Sequence, residues 1–319
     1  MKWILGIVLL AGLAAAQAQE FPARQVRVVV GSAPGGPIDI AARVVSERLA
    51  AAWKQPVVVE NRVGASEMIG AEFVAKSAPD GYTLLMVSLN PFTINPAVFT
   101  KLPYDPEHSF APITLATRNP MVLVASPKAA FATLKELIEL ARKDSGGVSW
   151  SSPGLATSNH IAGEWFASEA GIKLFHVPYK GGPAAANAVL SGDVPLSVVS
   201  LIQALPLVKT GQMRALAVTT AQRTPLAPEW PTIAELAVPG FDAAVQSGLF
   251  APAGTPRPVI AKIHADAVRA IRLPETRERF AAMGVEPVGS TPEELDAVNK
   301  AHRARIQGIV DKAAIKVQQ

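Results

Sequence analysis

The chain has 319 residues, 49% of them hydrophobic and 18% charged, with no cysteine and a formal net charge of +4. Such a composition supports a packed core and excludes a disordered chain, and a length above the about 100–200 residues of one domain predicts two lobes. The lack of cysteine excludes disulfides, a thiol nucleophile, thiolate metal sites and a lipid-modified amino-terminal cysteine, while scattered Lys and Arg and only 6% aromatics argue against nucleic-acid binding.

Residues 1–18 read as a secretory signal peptide. Lys2 supplies the positive start, Ile4 to Leu13 the apolar stretch, and Ala16-Gln17-Ala18 a small-x-small cleavage site before Gln19. The competing reading, a membrane anchor, is disfavoured because the apolar run is short for a span. No later stretch approaches the ~20 apolar residues a span needs, so the mature chain is expected free in a bacterial periplasm, without membrane insertion. Further on, Val26–Val30, Val57–Val59, Tyr82–Val87, Met121–Val124, Val148–Ser151, Leu174–Val177, Val194–Val199 and Arg214–Val218 are predicted strands. Most are continuously apolar, as parallel strands covered on both faces are. Ile38, Ala41, Val45, Leu49 and Ala52 form one helical face, and Leu134, Leu137, Ile138 and Ala141 another. Thr133-x-x-Glu136, Thr232-x-x-Glu235 and Thr291-x-x-Glu294 fit the capping box, and Gly171, Gly192 and Gly211 stand where left-handed helix caps are expected. Alternating strands and helices make the fold class α/β.

Three polar turns follow strands. In "VRVVVGSAPGGPIDIAARVV", residues 26–45, Gly31, Gly35 and Gly36 separate a buried strand from a helix. They match neither the dinucleotide nor the P-loop template. What remains is a turn at the carboxyl end of a strand, where a helix N-terminus aims unpaired N–H groups at an anion; a compact packing turn is the alternative. "VSWSSPGLATSNHIAGEWF", residues 148–166, repeats the design, with Thr157, Ser158 and Asn159 at the helix start, one of them serving as N-cap. "VPYKGGPAA" places Tyr179, Lys180 and Gly181 after a third strand. Two anion-compatible turns, one in each half, suggest a ligand clamped between lobes. The histidines at 108, 160, 176, 264 and 302 have no metal-ligand spacing, there is no GxSxG elbow, and no carboxylate pair is placed for acid–base work. His160 reads as a cap-region or packing residue, and no enzyme, metal or cofactor is expected.

The segments "VVVGSAPGGPIDIAAR", "QPVVVENRVGA", "APDGYTLL", "INPAVFTKLPYDPEHSFAPIT", "HVPYKGGPAA", "RALAVTTAQRTPL" and "GLFAPAGTP" together cover nearly the whole mature chain. Through them the chain resembles the tripartite tricarboxylate transporter solute-binding proteins, the Bug receptors of bacterial periplasms. The resemblance implies a two-lobed, type II-like periplasmic binding-protein fold, each lobe a mostly parallel sheet flanked by helices. It places residues 19–119 plus 229–319 in one domain and 120–228 in the other. It further implies a monomer that closes on a small carboxylate and docks on permease subunits; a receptor signalling to a membrane sensor kinase is the alternative. The first ligand loop maps to Ala33–Asp39, with Ala33, Gly35, Gly36, Ile38 and Asp39 as candidates. The second maps to Gly154–His160, with Ser152, Gly154, Thr157, Ser158 and Asn159. Asn90, Tyr179, Lys180, Gly181, Ser200 and Gln246 complete the candidate ligand-binding set. Pro37 and Ile38 replace the usual Ser or Thr after Pro-Gly-Gly, Val199-Ser200 replaces an acidic residue and Asn, and Gln246-Ser247 stands where an aromatic is usual. Pro37 lacks an N–H. These departures favour an acid with an apolar or hydroxylated distal end.

Overall fold

Val26–Val30 (β1) is buried except for Arg27, the pattern of a strand covered on both faces. In the computed structural model, which describes residues 21–143, 146–313 and 315, it lies between Val57–Asn61 (β2) and Thr83–Ser88 (β3) and is parallel to both. The expected signal peptide lies outside the described residues. A second parallel set centres on Val148–Ser152 (β5), flanked by Leu174–Pro178 (β6) and Leu196–Ser200 (β7). The sets are joined by Phe110–Ala125 (β4), a strand of 16 residues. Its first half pairs antiparallel with Ala244–Pro252 (β9), and its second half with β7 and Arg214–Val218 (β8). β9 in turn pairs antiparallel with β3, and the two-residue strand Glu286–Pro287 (β10) adds to β4. The main path runs β2-β1-β3-β9-β4-β7-β5-β6.

The sequence pattern predicts only Met121–Val124 of β4 and no strand at β9. Pro112 and Pro120 interrupt the apolar pattern of β4 and remove ladder donors. The strand survives through register shifts after Pro112 and after Leu115, where extra residues are accommodated.

Each sheet half is covered on both faces. In the first lobe one face packs against the helices Pro37–Trp53 and Arg257–Arg272, through Ile38, Val45, Leu49, Ile263 and Ile271. The other face carries Met68, Val74, Phe92, Phe110 and Phe250. Ala52 does not complete the face of the first helix; Trp53 does, four residues after Leu49, while Ala52 is exposed. In the second lobe Trp150, Phe166 and Phe241 fill one face and Val189, Leu201 and Trp230 the other. All three capping boxes form, with Thr side chains accepting from Glu136, Glu235 and Glu294 amides and the Glu side chains reaching back. Gly171, Gly192 and Gly211 all adopt positive φ.

The 22-residue helix Pro292–Ala313 crosses from one lobe to the other. Its Ile309 and Val310 share a core with Ile94 and Val98 of the first lobe and Ala156 and Ile161 of the second. Among the described residues no helix is long and apolar enough to cross a membrane.

Candidate functional site

The turn after β1 is locked by its own helix. Asp39, buried in the first helical turn, accepts from the Gly35 amide at 2.9 Å, from Arg43 Nε at 2.9 Å and from Asn61 Nδ2 at 2.8 Å. Burial pushes this carboxyl up, but the hydrogen bonds from Arg43, Gly35 and Asn61 and the Arg43 charge outweigh burial and hold it below the ordinary value. The Gly36 amide turns onto Ala33 O, and Ile40 N to Gly36 O is the first helical bond. Pro37 has no N–H, so the amides of Ile38 and Asp39 are left without a partner among the described residues. Gly35 and Gly36 shape the turn, Gly35 with φ +79°, but their N–H groups are consumed by it. Asp39 offers a ligand at most its main chain, because its side chain is tied inward.

The turn after β5 has the same logic. Thr157 is the N-cap of the helix Ser158–Ala170: its hydroxyl accepts from His160 N at 3.2 Å and donates to Gly154 O at 2.8 Å. Ile161 N to Thr157 O is the first helical bond, which leaves the Ser158 and Asn159 amides without partners among the described residues. The Ala156 amide donates to His160 Nδ1 at 3.3 Å, which requires a neutral imidazole. Burial supplies it: His160 is pushed down to about 3, with His176 contributing, and His176 to about 4 by burial. The two rings stack 4.1 Å apart, and His176 lies 4.6 Å from Trp150, forming an aromatic backing behind the turn. Ser152 Oγ joins this backing through His176 Nε2 at 2.7 Å and also donates to Gly154 O. Asn159 Nδ2 reaches Val198 O at 3.0 Å inside the second lobe. The side chains of Ser152 and Asn159 thus pair within their own lobe, as buried polar groups at a helix start must.

The third turn buttresses the second. Tyr179 N donates to Ser152 O at 3.0 Å and Gly181 N to Pro153 O at 2.9 Å, while Lys180 is exposed. Ser200 Oγ bonds Gln203 Oε1. Side chains of the two lobes meet at Asn90 and Ser158, where Ser158 Oγ donates to Asn90 Oδ1 at 2.7 Å. Beside that contact lies a cavity of about 60 Å³, lined among others by Met121, Ile161, Trp165, Gln246 and Arg305. Gln246 Oε1 has no partner among the described residues.

A second interlobe contact was missed in the sequence. Ser66 Oγ donates to Ala156 O at 3.0 Å, and Asn95 Nδ2 pins Ser66 O at 3.0 Å. Ala65, Ser66 and Glu67 all have positive φ, at 47°, 51° and 68°. Only Gly64 hinted at this, since side-chain-bearing residues rarely adopt such a backbone.

Residues 41–315 match the tripartite tricarboxylate transporter family receptor (TctC) family. Among solved structures, the chain is similar to R. palustris Rpa4515 with adipate, at 31% identity and TM-score 0.87, covering 93% of this chain and 100% of that one. It is also similar to the periplasmic binding protein BugD, at 32% identity and TM-score 0.83, with coverage of 93% and 100%. MatC (Rpa3494) from Rhodopseudomonas palustris with bound malate follows at 30% identity and TM-score 0.81, with coverage of 91% and 100%. With two half-sheets, a strand–turn–helix start of the same kind in each lobe and a match over most of its length, the chain belongs to the tripartite tricarboxylate transporter receptor family of two-lobed periplasmic binding proteins.

Proposed function

We propose that this protein captures a small carboxylate between its lobes and delivers it to a tripartite tricarboxylate-type membrane permease, acting as a receptor and not as an enzyme. The observation that carries this reading is the pair of helix starts, each with two unpartnered amides, Ile38 and Asp39 in one lobe and Ser158 and Asn159 in the other. Unpaired N–H groups and the helix dipole together favour an anion. The relatives holding adipate and malate support the same ligand class. The two lobes follow the expected division, 19–119 with 229–319 against 120–228, except that the stretch through Trp230 and Phe241 packs in the second lobe's core, and they close about β4 and β9. Export by the leader 1–18 precedes that cycle. Several charge-assisted hydrogen bonds of roughly 1.5–3 kcal/mol each, less ordering costs, suffice for the about −8 kcal/mol of a micromolar complex.

The test is a thermal-shift screen of mono-, di- and tricarboxylates on the mature chain. A binder at a thousand-fold excess over its Kd stabilises by about 4 kcal/mol, a shift of several degrees at this size. A screen in which no acid raises the melting temperature counts against the receptor reading.

A further inference from the structure

Glu67 is a titratable residue at the meeting of the lobes with no role in holding either turn. It follows Ser66, which touches the second lobe's turn, and it is held in the left-handed conformation. Its side chain crosses the carboxyl ends of β1 and β3. A Cβ placed on Gly31 would lie 2.7 Å from Glu67 Cβ, and Glu67 Oε2 accepts from Ser88 N at 2.9 Å and from Ser88 Oγ at 2.5 Å. The strand ends are where a parallel sheet presents its ligand. Oε1 has no partner among the described residues. Nor does any basic side chain pair with this carboxyl there: Arg62, on the same loop, is engaged by Glu60, and Arg43, behind the first turn, by Asp39. Its bonded partner Ser88 is uncharged, as is the nearby Tyr104 phenol, which burial pushes up, and the groups one bond further out through Ser66 and Ser88, namely Asn90, Asn95, Ala156 and Ser158, carry no charge either.

We propose, building on the carboxylate-receptor reading, that Glu67 is a ligand-binding residue that meets the bound carboxylate as a neutral acid, its Oε1–H donating to a ligand oxygen. An ionised carboxylate at this position would repel the anion that the four amides attract. A protonated one adds a donor and satisfies its own free oxygen. Where Glu67 is ionised in the free protein, one proton enters from solvent with the ligand, and none is released. Burial pushes Glu67 up to about 7 despite the two bonds from Ser88, so the proton is available near neutrality. Since the protonated form binds, affinity is highest below that value and falls as the pH rises through it. The arrangement selects anionic acids over those carrying an ammonium group, which would pair with the ionised form and show the opposite trend.

Calorimetric titration with adipate, or with malate where adipate gives no thermal shift, tests this. Between about pH 6.5 and about pH 8.5 the wild-type affinity is expected to fall roughly 20-fold, with uptake approaching one proton per ligand at the upper end when buffers of different ionisation heat are compared. Glu67→Gln, a permanently neutral donor, is expected to flatten the profile to less than about twofold and to bind more tightly than wild type at the alkaline end. Wild-type proton uptake reads the same step without relying on the variant's folding. Adipate or malate binding that is independent of pH, or that tightens with rising pH, overturns the role of Glu67 and leaves the receptor reading standing. Binding by no acid at either pH overturns both.

Discussion

At the scale of single residues, hydroxyls and carboxylates that look available in the sequence are largely spent on holding turns. Thr157 illustrates the economy of a helix start: one hydroxyl accepts from the third helical amide and donates back to Gly154 O. Replacing Thr157 by Ala is expected to cost about 1 kcal/mol of stability in urea unfolding. It also loosens the turn that presents the Ser158 and Asn159 amides, weakening adipate binding more than His302→Ala does. Thr157→Ser, which keeps the oxygen, restores both. An Ala variant as stable as wild type would mean that the cap contributes nothing. Asp39 plays the matching part in the first lobe, with Arg43 and Asn61 completing its shell.

Among elements, the contact between β5 and the helix Ser158–Ala170 depends on Gly163. A Cβ there would stand 2.1 Å from the Trp150 ring, whose side chain is fully buried. In an exposed helix Gly→Ala gains about 1 kcal/mol. Here overpacking opposes it, and Gly163→Ala is expected to lose about 1–3 kcal/mol in chemical denaturation, because Trp150 is also wedged against His176 and cannot retreat. A stabilised variant would show that the ring moves freely. The close approach seats the helix start over the end of β5, so the same glycine sets the height of the second turn.

For the whole molecule, the lobes are joined by more than the long strand β4. The carboxyl-terminal helix spans them, with Ile309 buried between Ile94, Val98, Ala156 and Ile161, Arg303 Nε on Phe92 O at 3.0 Å, and Lys312 on Glu169 at 2.9 Å. The ion pair is exposed and contributes little; the apolar contact dominates. Ile309→Ala is expected to cost about 2–4 kcal/mol and, by weakening a contact that both lobes share, to increase the radius of gyration of the ligand-free protein in small-angle scattering. An unchanged radius together with unchanged stability would show that the helix does not brace the lobes.

Local signals in the sequence determined the strand–turn–helix units, their capping boxes and the two anion-compatible helix starts, because each depends on neighbours within a few residues: β-branched runs, a Pro at the first helical position, a Thr three before a Glu. They also sufficed for the family likeness. Tertiary structure alone decided which groups remain free at those starts, since pairings such as Gly35 with Asp39 or Ala156 with His160 require the folded turn. It alone revealed β4 running through both half-sheets, because Pro112 and Pro120 hide a strand whose ladder is supplied by distant β7, β8 and β9. Ser66 and Glu67 were illegible for the same reason: a left-handed turn of ordinary residues carries no local signature, and it is held by Asn95 and Ser88 and meets Ala156 of the opposite lobe, contacts that exist only once the chain has folded.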